Sequence, residues 1–150
     1  MEEVFISIME RIAREMPELS VIDEDYGQLE MGLEEDHYPV TFPCVLIGNT
    51  DSSWQDFGHG AQASDSSITV RLALDCYHDT GYASGTYEYA RDRQAFANKL
   101  YKVLQGFECA EYASPLVRIK DRSYALPHYI KVYEITFSFS LHDESAMEGL

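Results

Sequence analysis

Apolar residues near the start of the chain recur at helical spacing. Val4, Phe5, Ile8, Ile12 and Met16 form one stripe, which predicts an amphipathic helix over residues 2–16. Glu3, Glu10, Arg11, Arg14 and Glu15 fill the other side, with Glu10 and Arg14 four apart in the favourable order, and Pro17 stops the helix. Leu19-Ser20-Val21-Ile22 reads as a short strand or a connector. Residues 23–38 hold Asp23, Glu24, Asp25, Glu30, Glu34, Glu35 and Asp36 with two glycines, the composition of a solvated loop. Cys44-Val45-Leu46-Ile47, flanked by Pro39 and Pro43, is a buried-strand signal that ends at a Gly48-Asn49 turn. Residues 49–67 are Ser, Asp, Gly and Gln-rich and read as a long loop or a hairpin tip.

The period then changes to two. Ile68, Val70, Leu72, Leu74 and Cys76 alternate with Thr69, Arg71, Ala73, Asp75 and Tyr77, so a strand over 67–77 turns the first set to the core. A loop at 78–87 leads to a second helix over 88–105. Tyr89, Phe96, Ala97, Leu100, Val103 and Leu104 form its apolar face, and Gly106 fits its stop. Two strands, 115–124 and 129–141, close the chain through the short loop Ala125-Leu126-Pro127-His128. Tyr129, Lys131, Tyr133, Ile135, Phe137, Phe139 and Leu141 share one face of the last strand. The polar tail 142–150 is expected to fray.

The order α-β-β-α-β-β predicts an α+β fold, a mostly antiparallel sheet with two helices packed on one face. Without a repeat or a linker, residues 1–150 read as one domain. The expected core is Ile8, Ile12, Val45, Ile47, Val70, Leu72, Leu74, Phe96, Leu100, Ile135 and Phe137. The last strand is apolar on its second face too, through Ile130 and Val132. That face needs either a second covering layer or a subunit contact, and the contact is the reading adopted.

Charge narrows the function. Eleven Lys and Arg against 26 Asp and Glu give −15. Nucleic-acid binding works by replacing condensed counterions with protein cations, so specific nucleic-acid binding is not expected. Like charge on every copy also opposes self-association, so salt is expected to strengthen it by screening. No apolar run reaches membrane-spanning length and no basic-then-apolar export signal opens the chain, so no membrane is expected as partner.

Chemistry is sparse. Cys44, Cys76 and Cys109 are far apart and lack CxxC spacing, which reads as free thiols in a reducing compartment. Asp75-Cys76-Tyr77-His78-Asp79 carries ligand-type residues, but alternation splits them between two faces and no second cluster completes a site. Gly58-His59-Gly60 is explained by a turn, and no phosphate-binding glycine loop occurs. The expectation is no enzyme, no catalytic residue, no cofactor and no metal. Trp54, in a polar loop, is either folded back on the core or an interface anchor. With Phe57, Tyr82, Tyr87, Ile130 and Val132 it makes up the candidate subunit or partner interface.

A resemblance then enters on several features together. They are the N-terminal helix, the Pro-flanked strand Phe42-Pro43-Cys44-Val45-Leu46-Ile47-Gly48, the Trp-bearing polar loop and the alternating strand from Ile68 to Tyr77. The helix with core Arg91-Asp92-Arg93-Gln94-Ala95-Phe96-Ala97-Asn98-Lys99-Leu100 and the closing hairpin complete the set. Over residues 1–141 this order resembles the tail terminator, or tail-completion, family of long-tailed phages. The acidic stretch 23–38 departs from it. The resemblance implies a non-catalytic subunit of a homo-oligomeric ring, typically a hexamer. Such a ring stops growth of the tail tube and offers a docking surface to the head connector. It implies the cytoplasm of a bacterial host during assembly, then the virion tail. Acidity would suit a lumen through which DNA slides without sticking. The alternatives are another neck or head–tail component, or an acidic module that mimics nucleic acid toward a basic partner.

Overall fold

The computed structural model describes residues 1–32, 37–77 and 80–147. Residues 33–36 of the acidic stretch, His78 and Asp79 of the ligand-type run, and 148–150 of the tail lie outside them. In chain order the elements are α1 Glu2–Glu15, β1 Val21–Glu24, the single-turn α2 Gln28–Met31, β2 Cys44–Gly58 and β3 Ala61–Asp75. Then come a 3-10 turn at Tyr82–Ser84, α3 Glu88–Leu104, β4 Val117–Leu126 and β5 Ile130–Asp143. One sheet runs in the order β1-β2-β3-β5-β4, with β1 parallel to β2 and every other pair antiparallel. The α+β class is as the period changes predict, with Val21 to Glu24 now a strand.

The main core lies between one face of the sheet and the two long helices. Val4, Ile8, Ile12 and Met16 from α1 and its end, and Leu100, Val103 and Leu104 from α3, meet Val45, Ile47, Ile68, Val70, Leu72, Ile135 and Phe137. Of the expected core only Phe96 falls short of full burial; it packs against the cluster but stays partly exposed, and the fully buried part of α3 begins at Leu100. Tyr129 also leaves the face assigned to it. With His128 it adopts positive φ in the β4–β5 turn, and it is exposed.

At 49–67, read as a long loop or a hairpin tip, the structure has the hairpin. Both strands continue through it to a two-residue turn, His59-Gly60, where both residues have positive φ as a tight hairpin turn requires. A Cβ at Gly60 would also collide with the backbone of Ala146. The inner face of this extension is held by hydroxyls: Ser52 bonds Ser66 at 2.6 Å, Ser64 bonds Ser66 at 2.7 Å, and Leu141 N–H donates to Ser64 Oγ at 3.2 Å. Such alternation carries no hydropathy signal. The tail likewise starts later than expected, since β5 stays paired as far as Asp143 and the chain then packs over Gly60. No helix among the described residues is long and apolar enough to cross a membrane.

Candidate assembly surface

The second face of the sheet carries its own small core. Leu29 of α2, Tyr38, Cys44, Leu46, Ala73, Ile130 and Val132 cluster there, all nearly inaccessible. Ile130 and Val132 are therefore not a free interface, and that assignment is corrected. The apolar second face of β5 is met by a covering layer from the chain itself, formed by α2 and the segment around Tyr38, whose hydroxyl donates to Pro127 O at 2.7 Å.

A buried ion cluster secures this layer. Alternation puts Arg71 on the second face of β3, where its side chain is only 6% exposed. Its Nε donates to Asp25 Oδ2 at 2.7 Å and Nη2 to Asp25 Oδ1 at 2.9 Å. Glu30 accepts from Nη1 at 2.6 Å and from Nη2 at 3.0 Å, and the Tyr124 hydroxyl lies 3.2 Å from Nη1. Two bidentate carboxylates on one planar fork use that geometry fully. The guanidinium hydrogen bonds, with its charge, hold the Glu30 carboxyl below its ordinary value, and the carboxylates hold Arg71 firmly protonated. The arrangement neutralises charge and pins a loop. From the alternation alone Arg71 reads only as an outward strand residue, because its partners are 46 and 41 positions away.

The cysteines are placed for packing. Burial pushes the Cys44 thiol up to about 12 and the Cys109 thiol up to about 11, so neither supplies thiolate near neutrality. Cys76 is half-buried. Among the described residues, no three His, Cys, Asp or Glu side chains are grouped to hold a metal ion.

The four remaining interface candidates are exposed and divide into two patches. Trp54, 44% exposed, and Phe57, 59% exposed, stand near the tip of the β2–β3 hairpin. Trp54 pairs with Ser64 and faces the helix side, in a cleft with Met1, Glu2, Glu3 and Tyr112. Tyr82 and Tyr87 lie at the opposite end of β3, with rings stacked 5.5 Å apart. Tyr77 and Tyr129, which sequence reasoning did not single out, form a second exposed ring pair at 5.3 Å where β3 ends and β5 begins. Exposed aromatic pairs of this kind are the usual anchors of protein contacts. The fold thus keeps the two groups of candidates apart, one at each end of the sheet.

Comparison with known proteins gives a match in fold alone. No model of a known protein family matches the chain, and no curated protein matches it in sequence. Among solved structures, a chain from the "Virion of native gene transfer agent (GTA) particle" superposes with a TM-score of 0.61 at 11% identity, covering 93% of this chain and 94% of that one.

Proposed function

We propose that this chain is a structural virion protein of a phage-like particle, a terminator-like ring subunit that caps the tail tube and joins it to the head connector. The observation that carries the reading is the fold shared, over nearly the full length of both chains, with a chain of a gene transfer agent virion. The aromatic patches at both ends of the sheet support it, because a subunit between a tube and a connector needs a contact surface toward each. The reading includes no catalysis, no cofactor and no metal. Its partners are further copies of itself, the tail tube and the head connector, and DNA passes through the lumen without specific contacts.

Particle-producing cells lacking the chain test this directly by electron microscopy. The expected result is tails of uncontrolled length and heads without tails, with joined particles restored when purified protein is added. Normal particles in its absence would remove the reading. A stoichiometric basic partner captured alongside normal particles would put an acidic nucleic-acid-mimicking module in its place.

A further inference from the structure

The charge of this chain is unevenly placed. Seven of its eleven Lys and Arg, but only three of its 26 Asp and Glu, lie on α3 and β4. These two elements are net +4, which leaves −19 on the rest. Each other strand of the sheet is net negative, whereas β4 carries Arg118, Lys120 and Arg122 against Asp121 alone. A cleft of about 440 Å³ separates β4 from α3, where Arg118 stacks 3.7 Å over the Tyr101 ring. Lys120 makes no ion pair among the described residues.

The same strand is a sheet edge. β4 pairs with β5 on one side, and no described strand pairs with the other. At the far side of the sheet β1 covers only Cys44 to Ile47, so the distal part of β2 is open as well. That open stretch holds Asp51 and Asp56 and no cation. Two open edges, one positive and one negative, therefore bound a single sheet; at the start of β4 the Arg118 N–H donates to Gln105 Oε1 at 2.9 Å, so the open part of that edge begins after it. Open edges are templates for pairing with another chain.

We infer that the cationic β4 edge of one copy docks head-to-tail on the acidic distal β2 edge of the next copy, continuing the sheet from subunit to subunit. This rests on the ring reading and names the surfaces that make the ring. Three observations favour a second copy as occupant. The edges are complementary in charge on both faces, with Lys120 and Arg122 on the side of Asp51 and Arg118 on the side of Asp56. Rotation about a ring axis preserves strand direction, and β4 runs opposite to β2, so the junction is antiparallel. The registers also set Val117 level with Asp51, through Ser138 and Ser67. The open part of β2 runs on from there, which staggers successive copies by roughly 20 Å along the strands. Strands tilted around a closed ring require a stagger of this kind.

The test exchanges the charges. One variant carries Arg118→Glu with Lys120→Glu, the other Asp51→Lys with Asp56→Lys, and Lys120→Glu alone, which breaks no ion pair among the described residues, stands in should the first fail to fold. Circular dichroism checks the fold, and sedimentation measures self-association at low and high salt. The wild-type chain should associate, and more weakly as salt rises. Each variant alone should associate at least tenfold more weakly, and an equimolar mixture of the two should recover, because opposite charges face each other again. Variants that associate like the wild type, or a mixture that does not recover, overturn the assignment. So does a wild-type chain that stays monomeric at millimolar concentration. A 30-base-pair duplex that binds wild type and not Lys120→Glu, with self-association unaffected, would make β4 a DNA surface instead. A chain that joins tails to heads yet is indifferent to these exchanges keeps the virion function and loses only this contact.

Discussion

Replacing Arg71 by alanine should be among the most destabilising single changes in the chain. The Asp25 side chain is 3% exposed, and both its oxygens accept from the guanidinium at 2.7 and 2.9 Å. Without Arg71 its one remaining hydrogen bond, among the described residues, is from the Gly27 N–H at 3.1 Å, which is too little to hold a buried carboxylate charge. Removing one partner of a buried pair costs about 3–5 kcal/mol. Glu30, whose side chain is 56% exposed, adds less than about 1 kcal/mol because water screens it. Against a total stability of about 5–15 kcal/mol, the loss takes at least about a fifth. With a urea slope of about 1.5 kcal/mol/M it lowers the unfolding midpoint by roughly 2–3 M. The second core should loosen first, because Asp25 precedes α2 and Glu30 lies on it, and α2 with Tyr38 covers Ile130 and Val132. Urea titration followed by circular dichroism measures the loss. Arg71→Met combined with Asp25→Val should recover most of it, since an apolar pair of similar volume needs no charge compensation. An Arg71→Ala protein within about 1 kcal/mol of wild type, or a double variant no better than the single one, would refute the reasoning.

Leu72, fully buried between the sheet and the helices, should cost about 2–5 kcal/mol when cut to alanine, read from the same titration, and a change under about 1 kcal/mol would mean the site collapses freely. The Glu30 carboxyl is held below its unfolded value of 4.5, first by its hydrogen bonds to Arg71. Its contribution is therefore full above that value and is lost as pH falls through the lower folded one. Unfolding midpoints measured from neutral pH down to acid should fall less steeply in Glu30→Gln than in wild type. Thiol titration of native protein should modify half-buried Cys76 first, with Cys44 and Cys109 reacting only on unfolding, as their burial and raised pKa values require. Rapid labelling of all three thiols in folded protein would contradict that order.

Local periodicity was enough to read much of this protein. The stripe from Val4 to Met16, the alternation from Ile68 to Leu74 and the Leu100 to Leu104 face each repeat with the period of their element, and each one is buried on the expected side. Periodicity reports which face of an element avoids water, so it finds helices and half-buried strands wherever the alternation is apolar against polar. At 49–67 it left a loop and a hairpin both open, because the inner face there is built from serines bonded to one another, so inside and outside look alike in hydropathy. Exposed Trp54, Phe57, Tyr82 and Tyr87 were legible as large aromatics in polar segments. That they divide between two ends of one sheet was not, since this follows from the direction of β3.

The sequence determined the class of fold, most of the main core and the net charge of −15. Tertiary structure alone decided what the second face of β5 meets, because a two-faced apolar strand fits a covering layer and a subunit contact equally well until its neighbours are known. It also decided where the charge sits. From −15 in total, salt is expected to strengthen association by screening repulsion. With β4 positive at one edge of the sheet and distal β2 negative at the other, the expected sign reverses. Screened Coulomb energy falls off within about 10 Å at ordinary salt, so which charges lie opposite each other outweighs their sum, and only the sheet order fixes which charges those are.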